Sequence, residues 1–193
     1  MVPITKITGR LGNQMFQFAF LYEHSRLNKL DFYYQDPAHF SVYSQEVKRM
    51  FQEGIPQRKD KVGIHVRRAA NPINPSEPKY SENSYYVNLL QTDYYQKAMA
   101  LFPQEKFMVI SDDIEFCKTL DIFKDCEFVS GTDVSDMNDF ASCKAQIIAN
   151  SSFSWWGAFI SPYSEKVVAP NYDKWYSDGN RTRTVCPEQW TRI

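Results

Sequence analysis

Short apolar runs alternate with stretches of helical spacing along the whole chain, a pattern that predicts an α/β fold on a mainly parallel sheet. Residues 2–8 read as a first strand, and the turn Gly9-Arg10-Leu11-Gly12-Asn13 opens a helix that keeps Phe16, Phe20 and Leu27 in phase to about residue 28. Residues 31–35 predict a short strand and 40–52 a second helix, before the polar segment 54–60 breaks the pattern. Strand 61–67 follows, with Val62, Ile64 and Val66 on one side, and ends in Arg67-Arg68. Residues 69–90, rich in Pro, Asn and Ser, form a connection long enough to be either a functional loop or a mobile one. Asp93 is the expected N-cap, with Gln96 at the third position, of a helix to about residue 101. Beyond it the pattern predicts strand 107–110, helix 114–120, strand 127–129, helix 135–144, strand 146–149, a helix from about residue 153 and strand 166–169.

A chain of 193 residues holds one ordinary α/β domain or two small lobes sharing an interface, here divided as 1–58 and 59–193. The composition, 43% hydrophobic and 23% charged, is that of a globular protein. With 22 basic against 23 acidic side chains there is no general attraction to nucleic acid or anionic membranes, so any anion site must be local. No run approaches the roughly 18 apolar residues of a membrane span, and the start lacks a signal-peptide pattern, so a cytoplasmic protein is expected, with peripheral membrane association left open. The 4 cysteines are scattered without a C-x-x-C pair and only 3 histidines are present, which predicts reduced thiols and no zinc site.

Four constellations carry candidate chemistry. In Gly9-Arg10-Leu11-Gly12-Asn13-Gln14, two glycines permit close backbone approach at a helix start, as a packing turn or as a binding turn. In His65-Val66-Arg67-Arg68, alternation puts His65 and Arg67 on one face at the carboxyl end of a strand, where guanidinium forks pair well with phosphate. Ser111-Asp112-Asp113 is placed to cap a helix, to contact a ligand, or both. In the segment from Ile147 to Gly157, Ser151, Ser152 and Ser154 bring hydroxyls and backbone N–H groups to a helix start. A plain N-cap does not account for two adjacent indoles, Trp155 and Trp156, with a third serine, although core packing can use one of the indoles. No two aspartates stand two apart, so the D-x-D pattern that holds a metal against a diphosphate is missing; arginine and helix dipoles would then neutralise the leaving group.

These four motifs, in this order and reaching from Gly9 to about Pro170, resemble those of family 11 glycosyltransferases, the alpha-1,2-fucosyltransferases. The resemblance implies a GT-B-like architecture of two Rossmann-type lobes with an abbreviated N-terminal lobe, GDP-fucose as sugar donor, a galactose-containing glycan as acceptor, inversion, and no metal or other cofactor. By residue, it implies Arg67 on the β-phosphate, with Arg68 beside it, and Ser151, Ser152 and Ser154 at the diphosphate. Asp112 joins the donor-binding set, His65 and Asp136 lie near the guanine, and Gly12, Asn13 and Gln14 face the cleft and acceptor. Two departures stand out. Where the family continues the arginine pair with Gly-Asp-Tyr, this chain has Ala69-Ala70-Asn71. Loss of that aspartate would cost about 100- to 10,000-fold if it organises the arginines or helps take the acceptor proton, and Glu77 in the same loop is the candidate replacement and catalytic partner of Arg67. The chain is also shorter than the family, with the shortfall between the first motif and Lys61. A binding protein that has lost transfer, and a transferase of another GDP-activated sugar, are the competing readings.

Overall fold

The computed structural model describes residues 11–17, 19, 48–68, 86–175 and 186–193. The strands expected at 2–8 and 31–35, and the loop carrying Ala70 and Glu77, lie outside the described residues. Among the described residues, six strands form one all-parallel sheet: β1 (Lys59–Val66), β2 (Phe107–Ser111), β3 (Glu127–Val129), β4 (Cys143–Ile147), β5 (Lys166–Ala169) and β6 (Thr191–Arg192). Their spatial order is β3-β2-β1-β4-β5-β6, that of a doubly wound Rossmann-like sheet, in keeping with a GT-B-type fold. Helices are α1 (residues 11–17), α2 (residues 48–50), α3 (Tyr94–Ala100), α4 (Ile114–Lys118), α5 (Asp133–Ala141) and α6 (Ser152–Ile160).

Parallel strands buried on both faces need apolar side chains on both. Val62, Ile64 and Val66 of β1 face Tyr94, Tyr95 and Ala98 of α3 and Cys117 of α4. Met108 and Ile110 of β2 lie in the opposite core with Met137 and Phe140 of α5 and with Trp156 of α6. The Phe140 ring occupies a slot between two glycines: a Cβ on Gly63 would come within 3.0 Å of it, and one on Gly157 within 2.7 Å.

The N-terminal elements pack on α6. Phe16 lies 4.9 Å from both Trp155 and Trp156, Phe51 lies 5.6 Å from Trp156, and Gln52 Nε2 donates to the Ile160 carbonyl at 2.8 Å. Both indoles are therefore core, at 8% and 0% exposure, so core packing takes both rather than one of them. The reason is that α6 is covered by α5 and the sheet on one side and by α1 on the other, and such a helix is apolar all round.

Other differences have local causes. Helix α5 begins at Asp133, two residues before the expected start, because Thr132 and Ser135 form a reciprocal capping box. It ends at Ala141, where Ser142 turns its hydroxyl back onto the Asp139 carbonyl at 2.7 Å, so β4 starts three residues earlier than expected. Asp93 stands at the N-cap of α3 but makes no capping bond; its carboxylate pairs with Lys97 at 2.6 Å instead. Strand β6 was not anticipated, since two residues are too few to show alternation. Among the described residues no helix is long and apolar enough to cross a membrane.

Candidate active site

The chain runs outward from β1 through β2 to β3, then returns to lay β4 against the other edge of β1. In an open parallel sheet the ligand crevice lies beyond the carboxyl ends of the strands where the order reverses, here β1 and β4. Those ends deliver His65-Val66-Arg67-Arg68 and the start of α6.

His65 is 4% exposed and lies 4.9 Å from the Phe153 ring. Its Nδ1 is buried without a hydrogen-bond partner. Burial pushes its pKa down to about 3, opposed by the Asp112 carboxylate and reinforced by Arg67, so the imidazole is neutral. Arg67 donates through Nη1 to Asp112 Oδ2, and the Arg68 backbone N–H donates to Asp112 Oδ1 at 2.9 Å. The Arg68 side chain goes elsewhere. Its Nε meets Asp113 at 3.2 Å, and its guanidinium lies 3.3 Å above the centre of the Phe116 ring. Strand alternation thus separates the arginine pair, with Arg67 on the His65 side and Arg68 against α4.

At the other strand end, Ser151 caps α6 by accepting from the Phe153 N–H at 3.3 Å. Ser152 donates to Asn13 Oδ1 at 2.9 Å, joining the first motif to the fourth. Gly12 makes that contact possible, because a Cβ there would lie 2.6 Å from both Phe153 N and the Ser152 carbonyl carbon. Asn13 and Gln14 are exposed beside it. The Ser154 hydroxyl is buried and bonded to the backbone of Ala149 and Ser151, at 3.1 Å to the Ala149 N–H, so it closes the turn from within. Asp136, in the first turn of α5, has its Oδ1 buried without a partner. Burial raises its pKa, and a backbone hydrogen bond from Gly131 opposes the shift.

Sequence reasoning missed the residues that brace the strand ends. Tyr94 Oη donates toward the carbonyls of Ile148 at 2.7 Å and Val168 at 3.1 Å, and Tyr95 Oη donates to the His65 carbonyl at 3.1 Å. Asn150 Nδ2 reaches the carbonyls of Val87, Lys174 and Trp175 at 2.8 to 3.2 Å. Two tyrosines opening a helix after a long loop, and a buried amide between a strand and a serine cap, were the available signals. Among the described residues no group of three or more His, Cys, Asp or Glu side chains gathers as a metal site would require.

A sequence model described as "Glycosyl transferase family 11" matches residues 29–192. The chain belongs to this family. The match takes in the last three motifs, while the Gly9 turn precedes it. The chain is 36% identical over 143 residues to an alpha-1,2-colitosyltransferase of Escherichia coli, covering 68% of this chain and 47% of that protein. It is 27% identical over 158 residues to the O-antigen biosynthesis glycosyltransferase WbnK of Escherichia coli, covering 75% and 48%. The chain thus spans about half the length of these curated relatives. No solved structure matches it significantly.

Proposed function

We propose that this family 11 chain is an inverting, metal-independent transferase that moves fucose from GDP-fucose to a galactoside hydroxyl. The observation that carries the reading is the convergence at one crevice of the Arg67 strand end and the α6 helix start, two sources of positive potential suited to a diphosphate. The acceptor oxygen attacks the anomeric carbon on the face away from the diphosphate. The bond from that carbon to the β-phosphate oxygen breaks, and its electron pair leaves with GDP. Arg67 and the backbone N–H groups near Ser152 meet the charge that grows there, which is where transition-state stabilisation is largest. His65 and Asp136 are assigned to the guanine, and the lobe of residues 1–58, with Asn13 and Gln14 at its edge, to the acceptor. The acceptor proton passes to a carboxylate, for which Glu77 is the candidate. Absence of a D-x-D pair in the sequence supports independence from a metal.

Similarity to a protein named alpha-1,2-colitosyltransferase favours a second reading, transfer of a different GDP-activated sugar. The deciding measurement is GDP release from GDP-fucose in EDTA, with and without a panel of galactosides. Acceptor-dependent release is expected. Tight GDP binding with no release on any acceptor would favour a binding protein that has lost transfer, and release from another GDP-sugar but not GDP-fucose would favour the second reading.

A further inference from the structure

The segment after the arginine pair, Ala69-Ala70-Asn71, contains no carboxylate, yet Arg67 is held by one. We propose that Asp112 is a positioning residue for Arg67, anchoring its guanidinium from the end of β2. This rests on the reading of Arg67 as the group that meets the diphosphate.

Register explains the pairing. Val66 of β1 stands beside Ser111 of β2, so the next residues of the two parallel strands, Arg67 and Asp112, emerge side by side, followed by Arg68 and Asp113. The pleat sends the two acid–base pairs to opposite faces of the sheet. Asp112 uses both oxygens, one on the Arg67 guanidinium and one on the Arg68 N–H, and so fixes the side chain and the strand end together. Asp113 also uses both, one capping the Phe116 N–H at 3.2 Å and one on Arg68 Nε at 3.2 Å. The side chains of Arg67 and Asp112 are 21% and 17% exposed, which leaves the pair less screened than a surface ion pair.

An arginine ordered in advance loses less rotamer freedom when it meets a ligand, and that saving appears as affinity. A carboxylate meeting the diphosphate directly would repel it, whereas on Arg67 it acts on the sugar donor only through the guanidinium. Asp112 therefore moves from the donor-binding set, where the sequence resemblance put it, to the support of Arg67.

The test is a cycle of Arg67→Ala, Asp112→Asn and the double variant, with GDP affinity measured by calorimetry and folding by urea unfolding. Asp112→Asn is expected to weaken GDP about tenfold or more in the unsubstituted background and to have no further effect once Arg67 is alanine. Asp112→Glu, which keeps the charge, should retain affinity within about threefold, and Asp113→Asn, which loosens Arg68, should leave it within about twofold. Additive losses from Arg67 and Asp112, unchanged affinity in Asp112→Asn, or equal losses in Asp112→Glu or Asp113→Asn would overturn the assignment. If the unsubstituted chain binds no GDP, the donor-site reading itself fails, an outcome visible before any variant is made.

Discussion

Arg67 is the residue on which the proposed donor site turns. Replacing it with alanine should weaken GDP binding by about 1.5–3 kcal/mol, the range for a hydrogen bond to a charged group, and calorimetry at fixed salt checks this. His65 makes a prediction about pH. Its folded pKa of about 3 lies below the ordinary 6.5, so between those values the unfolded chain binds a proton that the folded one refuses. Stability should fall as pH drops below 6.5, by up to about 1.4 kcal/mol per pH unit, and His65→Gln should flatten that slope in urea titrations from pH 7 to 5. Asp136 has the opposite sign for an acid: its pKa is raised on folding, so ionisation opposes folding at neutral pH. Asp136→Asn should stabilise the fold by less than about 1 kcal/mol at pH 7 while lowering GDP affinity, with the stability gain shrinking as pH falls toward the ordinary carboxylate range. A thermal melt together with a GDP titration separates the two effects, and a loss of both would argue that Asp136 is structural. The sequence placed His65 and Arg67 on one face correctly because alternation is a backbone property; it had no means of showing that Arg68 would be drawn to Phe116 and Asp113.

At the level of elements, the contact between α1 and the start of α6 joins the N-terminal residues to the Rossmann-like sheet. Backbone atoms, which cannot rotate aside, stand 2.6 Å from where a Gly12 Cβ would be. Gly12→Ala should cost on the order of 1–3 kcal/mol, as overpacked sites do, and the shift of Phe16 away from Trp155 and Trp156 should appear in tryptophan fluorescence. An unchanged urea midpoint would mean that the helices do not meet this closely. Strand positions β1, β2, β3 and β5 were legible because β1 alternates Val62, Ile64 and Val66 and the others are short apolar stretches followed by polar or turn residues. The α5 to β4 junction was misplaced because Cys143 and Ala145 suit either a buried helix end or a buried strand, and only pairing with β1 decides between them.

For the molecule as a whole, the proposed donor site exists only in the folded chain, so the free energy of GDP binding there should add to folding. At a hundred times its dissociation constant the gain is about 2.7 kcal/mol, and the thermal midpoint should rise more with GDP than with UDP at equal concentration. Equal shifts would point to diphosphate binding without base recognition. The sequence by itself determined the α/β class, the family motifs and the absence of a D-x-D pair, since these are written in local periodicity and residue identity. Only the tertiary structure decided which side chains oppose one another. Strand order set β1 between β2 and β4, parallel register aligned Arg67 with Asp112, and close packing at Gly12 brought Asn13 to Ser152. Those pairings join residues 45 and 139 positions apart in the chain, and no local pattern specifies a contact at such separation; it follows from how buried faces must stack to exclude water.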